Sequence, residues 1–246
     1  MHQKGLLTYA LNLIGNLVYI DEVDTGQLCN CYCPSCKEKL VAKNGGMKRV
    51  HHFAHASGVD CENAYETMLH QLAKLRVQEA FLSKEVFNVG FEYRSYCPHV
   101  KTCAFVRYGN CYISTHKRFN LKEFYDSCEQ EIQYDSINRR SDLKIFSSKK
   151  PQLAPIYIEF FVTHASDVSK LHNGGKIIEV KIESENDIQR IVDDGFIESS
   201  KCDSRLLEGI ESENISETTF WGFKLEDYDA KNITQEIEFS RYILYA

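Results

Sequence analysis

Residues 156–163 read Ile-Tyr-Ile-Glu-Phe-Phe-Val-Thr, and the prediction of the fold starts from this run. It is almost continuously apolar, which favours a strand that is covered on both faces. Residues 177–182 predict a second apolar strand. Residues 165–173 predict a short helix between the two strands, ended by Gly174-Gly175. The stretch therefore predicts a strand–helix–strand unit with one carboxylate, Glu159, inside its first strand.

Further segments on either side of this unit carry secondary-structure signals. Residues 62–84 have apolar side chains at helical spacing. Gly15-Asn16 is a favoured turn pair between two short strands. The remaining predictions are strands at 86–93, 127–134 and 139–146, a helix at 185–194, and strands near 220–223 and 238–244. We expect an α/β protein with a mixed sheet, behind a small module rich in cysteine and histidine.

Two pairs of metal-ligand residues in this module have the same internal spacing. Cys-Pro-Ser-Cys and His-Phe-Ala-His lie 15 residues apart and supply the predicted zinc ligands Cys33, Cys36, His52 and His55. Four protein ligands make a closed tetrahedral site, which stabilises a fold and leaves no position for a reacting water. Cys61 and His51 are possible substitutes for a member of this set. The alternative is two buried cysteines and an ordinary histidine pair.

Other cysteines allow further metal chemistry, although their spacing is irregular. A second zinc site is an open possibility at Cys97, His99, Cys103 and Cys111, with His116 nearby. Cys29 and Cys31 alternate in a strand-like run and are interpreted as small buried hydrophobes.

The segment between Cys36 and His55 is basic. It carries five basic side chains and one acidic one, Glu38. It is either a phosphate-contacting loop or a solvated one.

Glu159 needs a physical explanation, because a buried carboxylate costs several kcal/mol unless a cation or hydrogen bonds stabilise it. Asp142 lies in the preceding predicted strand, so the two carboxylates can converge on one Mg²⁺ ion. Glu66 and His70, one helical turn apart, are candidates for a further ligand, a base or a substrate-orienting group. The structural alternative pairs Asp142 with Arg139 or Arg140, and Glu159 with Lys144.

Charge is distributed unevenly along the 246 residues. The net charge is −6, but residues 185–246 hold 15 acidic and 6 basic side chains, and the rest of the chain sums to +3. The acidic C-terminal region is either a solvated surface or a shield over a phosphate-binding face that a protein partner displaces. No long apolar run and no signal peptide are recognised, so we expect a cytoplasmic protein with reduced thiols, not bound to a membrane.

The chain resembles the competence protein CoiA-like family. At the front, Ala10-Leu11, Cys-Pro-Ser-Cys and His-Phe-Ala-His carry the resemblance. Further on, it rests on Arg140-Ser-Asp-Leu143, on Ile158-Glu-Phe-Phe-Val-Thr-His164, and on Lys170 and Ile178-Glu-Val180.

The resemblance covers about residues 5–184. It implies a PD-(D/E)XK, or restriction-endonuclease-like, αβββαβ core that acts on DNA. Asp142 and Glu159 would then bind Mg²⁺ or Mn²⁺.

One position departs from the family pattern. Two residues after Glu159, where the family implies lysine or glutamine, the chain has Phe161. Lys144, Lys170 and Lys181 are candidates for supplying the missing cation. Glu179-Val-Lys181 also spells the motif and is an alternative site paired with Glu159.

We therefore expect a zinc module over residues 1–61, a nuclease-like domain over 62–184 and an acidic extension over 185–246. The first functional hypothesis is a Mg²⁺-dependent deoxyribonuclease with Asp142, Glu159, Glu66, His70 and Lys170 at its site. The second is a degenerate nuclease fold that binds DNA or a protein without cutting, which Phe161 favours. A zinc-dependent hydrolase is disfavoured because four protein ligands fill the predicted zinc site.

Overall fold

A computed structural model describes residues 5–59, 61–96, 112–133, 140–166, 175–199 and 217–223, with the single residues 99, 102, 104 and 171. The chain divides into two compact units, each made of several segments that alternate along the sequence. The first comprises Met1–Arg76, Val162–His164 and Ile182–Ile188; the second comprises Val77–Phe161, Ala165–Lys181 and Gln189–Ala246. Within the described ranges, no helix combines the length and hydrophobicity that a membrane span requires.

The first unit is built on two short antiparallel strand pairs. Strands β1 (Tyr9–Leu11) and β2 (Leu17–Tyr19) pair through the turn predicted at Gly15, whose φ is +85°. Strands β3 (Leu40–Lys43) and β4 (His52–His55) form the second pair. A bridge from Leu7 to Phe53 joins the segment before β1 to β4. These pairs enclose a small core that includes Leu7, Ala10, Leu40, Ala42 and Phe53.

Helix α1 (Ala64–Ser83) begins in the first unit and ends in the second. Met68, Leu69 and Leu72 are buried on it, as the helical spacing of the sequence predicts. Within the first unit the backbone N–H of Tyr9 lies 3.4 Å from the Met68 sulfur. Within the second unit Gln78 donates to the Cys128 carbonyl at 2.8 Å.

The second unit contains two sheets. In the three-stranded sheet, β5 (Asn88–Tyr96) pairs antiparallel with β6 (Tyr112–Asn120) and parallel with β11 (Phe196–Ile197). The five-stranded sheet has the order β12-β10-β9-β8-β7. Its strands are β7 (Ser127–Gln133), β8 (Arg140–Phe146), β9 (Ile156–Phe161), β10 (Lys176–Lys181) and β12 (Thr218–Trp221). Only β9 and β10 run parallel in it, so it is a mixed sheet.

The five-stranded sheet has two faces of different character, because successive side chains on a strand point to opposite sides. One face is apolar and belongs to the core of the unit. It is formed by Cys128, Leu143, Ile145, Ile156, Ile158, Phe160, Ile178, Val180 and Phe220. Gln78 of α1 lies against the β7 edge of this face, where it also accepts a hydrogen bond from Gln130 at 2.7 Å. The opposite face carries a row of three buried or half-buried carboxylates on β8, β9 and β10, with exposed Glu129 at its β7 edge, and is called the carboxylate face below.

Helix α2 (Glu185–Asp194) ends at Gly195, which has a φ of +83°. A Cβ atom at this position would lie 1.9 Å from the Asn88 carbonyl oxygen. Glycine therefore permits both the helix end and the close approach of β11 to β5.

The sequence predicted most of these elements and missed four strands, β3, β4, β6 and β11. The mixed α/β character, α1, α2, the β1–β2 hairpin, the β7–β8 pair and both strands of the parallel pair are confirmed. Strand β6 was not predicted, and the β5–β6 pair interrupts the expected αβββαβ order between α1 and β7. The predicted helix at 165–173 and the strand at 238–244 lie largely or wholly outside the described residues.

The predicted sections 1–61, 62–184 and 185–246 stay a prediction. The described part of the predicted acidic extension is not separate from the sheets: β11 pairs with β5, and β12 pairs with β10.

Candidate metal centre and carboxylate face

Four potential metal ligands meet in the first unit, and they differ in one member from the predicted set. The ligand atoms of Cys33, Cys36, His55 and Cys61 all lie within 4.8 Å of one another. The sulfur of Cys36 is 3.3 Å from Nε2 of His55. These separations are comparable with the roughly 3.8 Å ligand–ligand edge of a tetrahedral zinc–thiolate site.

The turn that carries Cys33 and Cys36 is tight. The backbone N–H of Cys33 donates to Glu38 at 2.8 Å, and that of Lys37 donates to Cys33 at 3.1 Å. Lys37 takes a left-handed conformation with a φ of +64°, and its ammonium donates to the Pro34 carbonyl at 2.7 Å. This turn directs both thiols towards one point, which is how an x₂ cysteine pair chelates an ion.

His52 is absent from the cluster because of the strand in which it lies. Strand β4 runs from His52 to His55, and residues three apart on a strand point to opposite faces. His55 shares its face with buried Phe53, whereas Nδ1 of His52 lies 3.0 Å from the Val50 carbonyl oxygen. Cys61, named from the sequence only as a substitute, takes the fourth position instead.

The electrostatics of the cluster concern the thiols. Burial raises the pKa of the Cys33 thiol to about 11, while the backbone N–H groups of Cys36 and Ser35 lower it by donating to the sulfur. Burial also tends to raise the pKa of the Cys61 thiol. Hydrogen bonds from Ser35, from the Asn63 backbone and from the two neighbouring thiols outweigh it, so this pKa is lowered. Such thiols bind a cation as thiolates.

Three thiols and one imidazole are the ligand types that zinc prefers, and the cluster is therefore able to hold a metal ion such as zinc. Of the other cysteines nearby, Cys31 is fully buried and donates to the Cys29 carbonyl at 3.2 Å, outside the cluster. Burial raises its pKa to about 12, as expected of a structural thiol.

His51 is engaged elsewhere and is not a substitute ligand in this structure. Its Nδ1 lies 2.5 Å from Asp21 and its Nε2 lies 2.7 Å from the Gly46 carbonyl oxygen. The hydrogen bond with Asp21 raises the pKa of His51 above its usual value.

The second predicted zinc site lies outside the part of the chain that the structure describes. Cys97, Cys103, Cys111 and the side chain of His116 lie outside the described part of the chain. His99 is described as an exposed turn residue whose carbonyl accepts a hydrogen bond from Thr102.

The carboxylate face of the second unit brings together Asp142 and Glu159. Strands β8 and β9 pair Leu143 with Ile158, and continuing this antiparallel register by one residue places Asp142 opposite Glu159. One oxygen of Asp142 accepts from the backbone N–H of Phe160 at 2.8 Å. Asp142 is half-buried, and Glu159 is 4% exposed.

A third carboxylate continues the same row. The parallel register of β9 and β10 pairs Glu159 with Glu179, which is 1% exposed. One oxygen of Glu179 accepts from the backbone N–H of Ser166 at 2.7 Å, so this residue also holds the segment that follows β9. The sequence drew attention to Glu179 through its literal E-x-K spelling, but only the register shows that it neighbours Glu159.

The structure does not place the remaining predicted site residues in the row of Asp142, Glu159 and Glu179. Glu66 and His70 lie on α1 in the first unit, where Glu66 accepts from the Thr163 hydroxyl at 2.8 Å. Lys170 lies outside the described residues. Lys144, on the carboxylate face, places its ammonium 4.9 Å from the centre of the Phe146 ring.

Comparison with known proteins concerns the front of the chain. The family model described as competence protein CoiA, N-terminal domain, matches residues 20–64. This stretch contains all four members of the metal cluster, and the match supports the CoiA-like resemblance. No curated protein and no solved structure matches the chain.

Proposed function

We propose that the protein is a metal-dependent nuclease that hydrolyses phosphodiester bonds in DNA, with Asp142 and Glu159 holding Mg²⁺ or Mn²⁺. The observation that carries the proposal is the row of Asp142, Glu159 and Glu179 on one face of three adjacent strands.

Like charges directly opposite one another destabilise a sheet, and the cost rises when they are withdrawn from water. A divalent cation offsets this repulsion, and carboxylate oxygens are the ligands that Mg²⁺ prefers. The residues therefore fit such an ion. When bound, it would lower the pKa of a water molecule and neutralise charge that develops on the phosphate.

DNA as the substrate is supported by the family resemblance and by the first unit. Five exposed basic side chains lie on or beside the β3–β4 pair: Lys37, Lys39, Lys43, Lys48 and Arg49. Such a basic segment is suited to phosphate contacts. In this proposal the zinc cluster has a structural role, because four protein ligands leave no position for a reacting water.

The test is cleavage of linear, circular and single-stranded DNA with Mg²⁺, Mn²⁺ or EDTA. The variants are Asp142→Asn and Glu159→Gln, which keep the shape of each side chain and remove its charge. Glu129→Gln is the matched control, since Glu129 is an exposed carboxylate on β7 of the same sheet. Metal-dependent cutting that both site variants lose and the control keeps is the expected result.

One observation favours a second function. Phe161, where the family implies lysine or glutamine, is 6% exposed and so brings an apolar ring to the edge of the carboxylate row. A catalytically degenerate fold that binds DNA or a protein would have this feature. Retained DNA binding without cutting under any metal condition would establish this alternative and reject the nuclease.

A further inference from the structure

An open cleft of about 330 Å³ lies in the first unit, beside the loop that joins β3 to β4. It is lined by Thr8, Tyr19, Asp21, Gly46, Met47, Arg49, Val50 and His51. This volume is at the lower end of the range of about 300–1,000 Å³ that is typical of small-molecule sites, so the cleft suits a group the size of one nucleotide. Its aromatic, apolar and cationic side chains together indicate a ligand that carries both a flat ring and a negative charge.

The loop is fixed to the segment that follows β2. Nδ1 of His51 lies 2.5 Å from the Asp21 carboxylate, and its Nε2 lies 2.7 Å from the Gly46 carbonyl oxygen. The side-chain amide of Asn44 donates to the Ile20 carbonyl at 2.8 Å. A loop that is already ordered loses little conformational freedom when a ligand binds, so this side of the cleft is preorganised.

Two apolar side chains of the cleft face water. Met47 is fully exposed, and Val50 is 68% exposed. Tyr19 is half-buried, and its ring centre lies 5.1 Å from that of Tyr9, so a neighbouring ring holds it in place. Single exposed apolar side chains are ordinary, but these two line one concave surface together with an aromatic ring. Unpaired bases stack on surfaces of this kind.

Exposed cations lie at the rim of the cleft. Donors within the protein stabilise the three carboxylates nearby: Asp21 is held by His51, Glu22 by the Tyr19 backbone N–H at 3.3 Å, and Glu185 by the Thr8 hydroxyl. Lys48 and Arg49 are exposed on the loop itself. A phosphate group next to a base in the cleft can therefore meet a cation.

We propose that this cleft binds an unpaired nucleotide, so that the first unit holds single-stranded DNA. Tyr19, Met47 and Val50 contact the face of the base, and Arg49 contacts an adjoining phosphate. The inference rests on DNA as the substrate in the proposed function, but it does not depend on cutting. In a duplex the faces of the bases are stacked on one another, whereas a single strand exposes them to aromatic and apolar side chains.

An anionic membrane is the other surface that suits apolar and basic side chains together. The cleft favours a nucleotide, because a concave lining cannot lie flat on a lipid surface. Asp21 also keeps 50% of its side chain exposed beside His51. A carboxylate at this place accepts hydrogen bonds from the amino groups of bases, whereas anionic lipid headgroups would repel it.

The first experiment measures, by fluorescence anisotropy without added divalent metal, how the full chain binds a single-stranded oligonucleotide of mixed sequence and a duplex of equal length. The double variant Met47→Ser with Val50→Ser should weaken binding to the single strand by about 10-fold, and binding to the duplex by less than about twofold. Val59→Ser is the matched control and should bind like the native protein, because Val59 is also 68% exposed in the same unit and does not line the cleft. Melting curves show whether each variant folds.

The second measurement tests the phosphate contact of Arg49. Each phosphate contact with a single strand contributes about 0.7 to the slope of log K against log salt concentration. Arg49→Met should therefore weaken binding to the single strand and reduce this slope by about 0.7. A slope equal to that of the native protein would overturn the role given to Arg49.

The outcomes separate this inference from the proposed function. Native protein that cuts DNA, alongside a double variant that binds the single strand equally well, rejects the cleft alone. Native protein that binds single-stranded DNA through the cleft and never cuts it rejects the nuclease alone, and native protein that binds no DNA rejects both.

Two further results would also overturn the inference. Equal losses of binding to single strand and duplex would make the loop a general DNA contact. A double variant that loses binding to phosphatidylserine vesicles, but keeps its binding to DNA, would identify a membrane-contacting surface instead.

Discussion

At the scale of single residues, the metal cluster depends on where each ligand lies in the backbone. Cys33 and Cys36 come from one turn, and His55 comes from the inner face of β4. Cys61 follows that strand and completes the set. A histidine three positions away on a strand cannot serve beside His55, because it points to the other face.

The zinc content of two variants should show whether Cys61 or His52 is the fourth zinc ligand. Cys61→Ser is expected to weaken zinc binding by at least about 10-fold, since it removes a ligand. His52→Ala should leave zinc binding unchanged. Metal per chain, measured by mass spectrometry after competition with a chelating dye, checks both variants. Equal zinc loss from the two would contradict the ligand set described above.

His51 should stabilise the fold in a pH-dependent way. Both ring nitrogens face oxygen acceptors, so both donate only when the ring is protonated, and the hydrogen bond with Asp21 raises its pKa. Because the folded pKa exceeds the unfolded value of about 6.5, the contribution is full below that pH. It is lost as the pH rises through the folded pKa.

Asp21→Asn tests this interaction. The substitution should lower the melting temperature at pH 6 and have little effect at pH 9. Melting curves at the two pH values, compared with those of the native protein, give the measurement. A destabilisation of the same size at both would show that the protonated ring is not involved.

At the scale of elements, the five-stranded sheet combines an apolar face with the carboxylate face. The parallel pairing of β9 and β10 puts Glu159 next to Glu179, and the antiparallel pairing of β8 and β9 puts Asp142 opposite Glu159. A shift of one residue in either register would turn these side chains to the other face.

Removing one charge from the row should stabilise the metal-free sheet. Glu159→Gln is expected to melt at the same or a higher temperature than the native protein in EDTA, because like charges oppose one another there. Millimolar Mg²⁺ should raise the melting temperature of the native protein but not that of the variant. Equal Mg²⁺ responses would place the metal elsewhere.

Gly195 should be more sensitive to substitution than Gly15, although both have positive φ. Alanine at Gly15 meets no atom within 4 Å, so it should cost only the backbone strain of about 1–2 kcal/mol. Alanine at Gly195 would place its Cβ only 1.9 Å from the Asn88 carbonyl oxygen and should cost clearly more. The free energy of unfolding in urea compares the two variants. Equal losses would show that β11 moves away from β5 at no cost.

At the scale of the whole molecule, the metal cluster and the carboxylate face lie in different units. Each unit has its own core, and the four potential metal ligands come only from the first. Because metal binding in such a cluster contributes directly to folding, metal removal should act locally.

Chelation of zinc should loosen the first unit. Hydrogen exchange should rise over residues 5–59 and stay low over the β7–β8 pair. Cys33, Cys36 and Cys61 should become open to alkylation, while Cys128 stays unreactive because burial keeps it 5% exposed and raises its pKa to about 12. Mass spectrometry of both labels is the measurement, and exchange that rises equally in both units would reject the local effect.

The amino-acid sequence by itself determined most of the elements and the kinds of ligand. Helical spacing in α1 and the apolar run around Glu159 depend on local side-chain pattern, which the sequence shows directly. The tight Cys-Pro-Ser-Cys turn is local as well. For these features, residues that act together are neighbours along the chain or on one helix face.

Only the tertiary structure decided which distant residues meet. Cys61 replaces His52 because β4 is a strand, and Glu179 and Lys181 join Glu159 and Phe161 because β9 and β10 pair in parallel register. Strand pairing and register arise from the packing of whole sheets, so no local pattern contains them. The physical reason is that burial of one face of the entire strand sets the register, and the register determines which side chains on neighbouring strands lie next to one another.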